Sequence, residues 1–238
     1  MQQSNQSEPL LFDQKPPEQS NYVPCCGILS AKYFAQFFNV NTSEVSWKLF
    51  YAMTIVFYKK FKLIGPNKID MYGPFWIYAT MVLSLAVSQN VYSYLTRPAH
   101  TKFVYTISYV PTAFAIVYVF GFVVPIIFNI VIRAFGGVIR YSQAITIYGY
   151  SQCVNIFMML ICGYPNATYQ NFCITYGALH SSVFLFLCLR DELQKTEKNL
   201  VYIAIGTIAV MQLILVIVYK QYFFGNIYSI NNQYYQAQ

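Results

Sequence analysis

The 238-residue chain is 57% hydrophobic and only 10% charged, with a mean hydropathy of +0.42 and a formal net charge of +7. Soluble globular chains carry nearer a quarter charged residues, so this composition identifies an integral membrane protein. Once the apolar spans are set aside, only about seventy residues remain to fold in water, near the lower limit for an unaided core, which excludes a separate soluble catalytic domain.

Residues 1–28 are rich in Gln, Ser, Asn, Glu and Pro and poor in aliphatics, a composition that cannot bury enough surface to order itself. They are predicted to be a disordered cytosolic tail. No apolar stretch of signal-peptide length occurs there, so targeting is expected from an internal span. Cys25 and Cys26 are a candidate lipidation site. The six cysteines show no CxxC and no Cys/His cluster, so neither a zinc site nor any other metal or cofactor is expected.

Residues 29–69 are predicted to form cytosolic amphipathic helices. Phe34, Phe37 and Phe38 with Tyr33 gather on one helical face. Asn41, Thr42, Ser43 and Glu44 then supply cap-type residues ahead of Val45, Leu49, Ala52, Met53 and Val56 at helical spacing, which predicts a helix of about fourteen residues. Lys59, Lys60, Lys62 and Lys68 follow. Basic residues flanking apolar spans act as topology signals rather than as a nucleic-acid surface, and these hold the amino terminus on the cytoplasmic side.

From residue 70 the character changes: no carboxylate follows Asp70 until Asp191. Five apolar segments are predicted, near 75–95, 109–132, 141–162, 171–189 and 200–219, each about as long as the roughly 30 Å hydrocarbon layer requires. The second contains Pro125 and is counted once, because no polar turn separates its halves. The fold class is thus an all-α integral membrane protein: a five-helix transmembrane bundle over 70–220, a short cytosolic helical region before it, and a lumenal polar tail over 221–238. With the amino terminus inside, Lys59, Lys60, Lys62, Lys68, Arg133, Arg140, Arg190, Lys195 and Lys198 are cytoplasmic, against Arg97, Lys102 and Lys220 outside. This asymmetry fits the positive-inside rule. The sequon at Asn166 then faces the lumen close to the membrane.

The stretch Asp70-Met71-Tyr72-Gly73-Pro74-Phe75-Trp76 opens the first span. Pro74 suits a first helical position, Gly73 relieves crowding before proline and permits an unusual backbone angle, and Tyr72, Phe75 and Trp76 are interfacial anchors. Asp70 is the residue that helix initiation explains least. This stretch with Ile77 resembles the DLYGPFWI signature of the Yip family of Ypt- or Rab-interacting membrane proteins. Tyr148-Gly149-Tyr150-Ser151 is similar to that family's YGYS motif, and residues 33–42 resemble its YYxxFFDVDT segment, with Asn39 and Asn41 in place of two acids. The resemblance implies a Golgi or ER-to-Golgi protein, non-enzymatic, that binds Rab-type small GTPases or coat-related trafficking factors and supports vesicle traffic, with other Yip-family members as further candidate partners. Asp70, Tyr72, Gly73, Pro74, Phe34, Phe37 and Phe38 are then candidates for partner binding. Tyr148, Gly149, Tyr150, Gly177 and Ser181 are candidates for helix packing. Two other readings stand beside it, a membrane-shaping protein and a small channel or transporter. The second needs an ionisable pathway, for which His180 is the available residue.

Overall fold

A computed structural model describes residues 40–59, 61, 70–98, 100, 102–137, 139–194 and 198–225, all helical or connecting, with no strand among the described residues. The tail, Phe34, Phe37, Phe38, Cys25, Cys26, Lys62 and Lys68 lie outside them. Helix α1 spans Thr42–Met53 and is followed by a single 3-10 turn, Ile55–Phe57. The long helices are α2 (Tyr72–Thr96), α3 (Tyr109–Ala134), α4 (Tyr141–Ser151), α5 (Cys153–Ile161), α6 (Ala167–Gln194) and α7 (Lys198–Tyr219), with α7 running on as a wider π turn to Gly225.

Asn41 occupies the cap position of α1, but its side chain makes no capping hydrogen bond. The inward face of α1 is Val45, Lys48 and Ala52, at spacings of three and four, with Leu49 beside them. Met53 turns outward. The third apolar segment is broken at Gln152 into α4 and α5, where the polar residues Ser151, Gln152 and Asn155 interrupt its apolar run. Gln152 stays near helical backbone angles, so the two pieces still read as one crossing.

Four helical stretches are long and apolar enough to cross a membrane: 109–134, 141–161, 167–190 and 199–224. Helix α2 is equally long but more polar, and its burial explains why. It packs against α3, α4 and α5 and turns Ser84, Ser88, Gln89 and Asn90 inward. A helix enclosed by protein on several sides satisfies polar groups there and needs apolar residues only where it meets lipid. Gln89 Nε2 donates to the carbonyl of Phe223 at 2.5 Å, tying α2 to the end of α7.

The core divides into two clusters. One gathers Ala52, Phe61, Ile77, Phe128, Ile132, Tyr148, Phe184 and Leu200 near the start of α2. The other gathers Met81, Leu85, Val117, Met159, Cys173, Leu215 and Phe223 toward its far end. Pro125 sits within the unbroken α3 and cannot donate to the carbonyl of Gly121 one turn back. The Tyr78 hydroxyl, fully buried, donates to that carbonyl at 3.2 Å instead. At the turn before α6, Asn166 Oδ1 accepts the N–H of Tyr169 at 3.1 Å, a side-chain cap on the helix start.

Candidate functional site

The head of α2 is where the chain's most distinctive residues converge. Asp70 stands two residues ahead of the helix, just before its cap residue Met71, and has no exposed surface. Lys48 comes from α1 and is 2% exposed. The ammonium donates to Asp70 Oδ2 at 3.0 Å, a buried ion pair. The Tyr150 hydroxyl of α4 donates to the same oxygen at 2.7 Å, and the N–H of Gly73 donates to Oδ1 at 3.1 Å. Thr146 Oγ1, also on α4, donates to the backbone carbonyl of Asp70 at 2.9 Å.

Each contact has a physical reason. A buried carboxylate is tolerable only when opposite charge and donors surround it. Three donors reach this one, two of them on Oδ2. The Gly73 N–H is one of the first-turn donors without an intrahelical partner, and a carboxylate beside a helix start also meets the positive end of the helix dipole. Lys48 Nζ further lies 5.8 Å from the centroid of the Tyr150 ring, within cation–π range.

The two glycines of the motifs allow this convergence. A Cβ on Gly73 would overlap the Tyr150 hydroxyl, and a Cβ on Gly149 would overlap the ring of Pro74 and reach its Cα at 3.0 Å. Gly73 therefore serves close approach rather than an unusual backbone angle, since the only glycine with positive φ among the described residues is Gly136. Pro74 is the third residue of α2 rather than the first; its missing N–H is still one of those a helix start leaves unpaired. The α2 and α4 motifs are thus two halves of one contact.

The predicted candidates separate accordingly. Asp70, Gly73 and Pro74 are buried, whereas Tyr72 is on the outside with Phe75 and Trp76, whose rings meet edge to face. Tyr148, Gly149, Tyr150, Gly177 and Ser181 are all buried. A Cβ on Gly177 would overlap Asn155 Oδ1. Asn155 Nδ2 donates to Gln152 Oε1 at 2.6 Å and to Ser181 Oγ at 3.1 Å, and Ser181 donates to the carbonyl of Ser151 at 2.8 Å. This network stitches the α4–α5 break to α6.

Two residues that sequence reasoning passed over complete the arrangement. Lys48 was hidden because a lysine in an amphipathic helix reads as solvated. Trp47 lies on the opposite face of α1, more than half exposed, with Phe50 and Met53 also outward. The Trp47 ring stacks on Tyr51 at 5.7 Å, and Phe50 stacks on Phe57 at 6.1 Å. A second tie holds α1: His180 Nε2 on α6 donates to the carbonyl of Met53 at 3.1 Å. Among the described residues no group of three or more His, Cys, Asp or Glu comes together to hold a metal ion.

The stretches Asp70-Met71-Tyr72-Gly73-Pro74-Phe75-Trp76 and Tyr148-Gly149-Tyr150-Ser151 meet in one contact, and the family model described as the Yip1 domain matches residues 35–219, which include both. The chain belongs to the Yip1 domain family. It is also 28% identical over 196 residues to a protein described as "Protein YIPF1 homolog" from Dictyostelium discoideum, covering 82% of this chain and 56% of that relative. The chain thus spans little more than half the length of that curated relative. No solved structure matches it.

Proposed function

We propose that the chain is a non-enzymatic membrane trafficking protein of the Golgi and early secretory pathway, with α1 on the cytosolic side as a platform for Rab-type small GTPases. The single observation that carries this reading is the two-sidedness of α1. Its inner face is fixed to the membrane bundle through Lys48, Asp70 and the His180 tie, and its outer face presents Trp47, Phe50 and Met53. Large aromatics that stay exposed on an immobilised helix are characteristic of a contact surface.

In this reading Asp70, Gly73 and Pro74 position the platform, while Tyr72 contributes to its edge. A membrane-held partner is already concentrated near such a surface, so weak contacts suffice.

Five crossings follow if α2 also spans the bilayer. Its exposed residues support this: Trp76, Leu83, Val87, Val91 and Leu95 recur along one side at helical spacing, an apolar stripe suited to lipid. The cationic ends Arg133, Arg140 and Arg190 then share the side of Asp70, and the carboxy terminus is lumenal. His180, on which the transport reading rests, is engaged as an interhelical tie.

The test uses the full chain in liposomes and prenylated Rab-type GTPases loaded with GDP or GTP. Retention of at least one GTPase, reduced severalfold by Trp47→Ala with Phe50→Ala, is the expected result. No retention in either nucleotide state overturns the platform. A tagged copy that localises to the plasma membrane or mitochondria contradicts the Golgi assignment.

A further inference from the structure

The connection between α2 and α3 folds back along the bundle instead of leaving it. Residues 102–106 are non-helical, and Thr106 is held by Asn90 through both of its backbone groups. Its N–H donates to Asn90 Oδ1 at 2.9 Å, and its carbonyl accepts from Asn90 Nδ2 at 3.2 Å. The same nitrogen donates to the carbonyl of Ala86 at 2.9 Å. Asn90 precedes the last residue of α2, Thr96, by six positions, or about 9 Å along the helix axis. The connection therefore returns by roughly that distance toward the middle of the bundle before α3 begins.

A second contact holds it there. The Tyr94 and Phe103 rings meet edge to face at 5.4 Å, and the Arg97 guanidinium lies 4.3 Å from the Tyr94 ring centroid. Outward from this folded-back segment stand Val104, Tyr105 and Ile107, 70%, 54% and 69% exposed. Non-helical backbone near membrane depth is tolerated only where its polar groups are satisfied. The Asn90 amide supplies that for Thr106, which gives one of the buried polar side chains of α2 a specific role.

We propose that residues 103–107 form a wedge in the bilayer leaflet opposite the Asp70 end, with Val104 and Ile107 in the acyl region, Tyr105 at the headgroup boundary, and Arg97 and Lys102 toward the lipid phosphates. This rests on the reading that α2 crosses the membrane. A phospholipid surface is the occupant because the wedge joins two membrane helices directly, continues the exposed stripe of Leu83, Val87 and Val91, and is flanked by cations. Apolar side chains on one side and cations at the rim match the lipid interface. Such a wedge adds area to one leaflet only, which gives the membrane-shaping reading a structural basis.

The test is spin-label accessibility of the full chain in phosphatidylcholine vesicles, with Cys25→Ser and Cys26→Ser and one introduced cysteine at a time. The parent without an introduced cysteine sets the background. Labels at Val104→Cys and Ile107→Cys are expected to be relaxed more by oxygen than by a water-soluble nickel chelate, as at Val87→Cys, with the reverse at Lys102→Cys. Nickel dominance at 104 and 107 with oxygen dominance at 87 overturns the wedge and leaves the α2 crossing standing. Nickel dominance at 87 as well removes both. Protection from both relaxants that weakens as protein is diluted in lipid shows a second copy covering the segment, and also overturns the proposal. Asn90→Leu, or Thr106→Pro as an independent variant, is expected to raise nickel accessibility at 104 severalfold; no change in either removes the role of Asn90.

Discussion

The carboxylate of Asp70 lies 3.0 Å from the ammonium of Lys48, twenty-two residues earlier in the chain, and neither side chain is more than 2% exposed. Removing one partner of a buried pair strands the other charge, at a cost of about 3–5 kcal/mol, whereas replacing both with apolar residues is far cheaper. Lys48→Met and Asp70→Leu are each expected to lower stability by about that amount in lipid nanodiscs. The double variant is expected to lose clearly less than the sum. Full additivity in denaturant unfolding would mean that the two side chains do not act as a pair.

Gly149 and Gly206 form a matched contrast. A Cβ on Gly149 meets Pro74, whose ring and backbone cannot give way, whereas a Cβ on Gly206 of α7 meets nothing within 4 Å. Gly149→Ala is expected to destabilise by about 1–3 kcal/mol through overpacking. Gly206→Ala is expected to be neutral or to stabilise by up to about 1 kcal/mol, because alanine is the better helix former. Thermal unfolding of the two variants side by side checks both signs.

The Tyr78 hydroxyl replaces the hydrogen bond that Pro125 cannot give to the Gly121 carbonyl. Tyr78→Phe removes one oxygen and leaves a buried acceptor unpaired, which costs about 1–3 kcal/mol. Pro125→Ala restores an N–H one turn from that carbonyl, so Tyr78→Phe is expected to cost less in that background. An unchanged cost, measured by denaturant unfolding, would show that the carbonyl is satisfied some other way.

Membrane class and helix positions were legible because they depend on composition and period: the predicted segments begin and end within five residues of the observed helix bounds. The break at Gln152 was not legible, since the polar residues around it, Ser151, Gln152 and Asn155, are compatible with a continuous helix, and the break is held by a tertiary contact, Ser181 of α6 donating to the carbonyl of Ser151 and accepting from Asn155. The sequence singled out Asp70 as unexplained, but its partner Lys48 could not be found from local pattern. Only the tertiary approach of α1 turns that lysine inward. Asn90 reads from the sequence only as a polar residue within a span, because its role depends on a connection that folds back on the helix bearing it.

The Asp70 carboxylate latches α1 to the bundle, and amide hydrogen exchange across α1 measures this directly. In nanodiscs, Asp70→Asn is expected to speed exchange of Val45 to Met53 by at least about tenfold, as a loss of 1.4 kcal/mol or more in local stability requires. The amides of α3 and α7 are expected to keep their native rates. Unchanged exchange in α1, or an equal acceleration throughout the bundle, would contradict the latch.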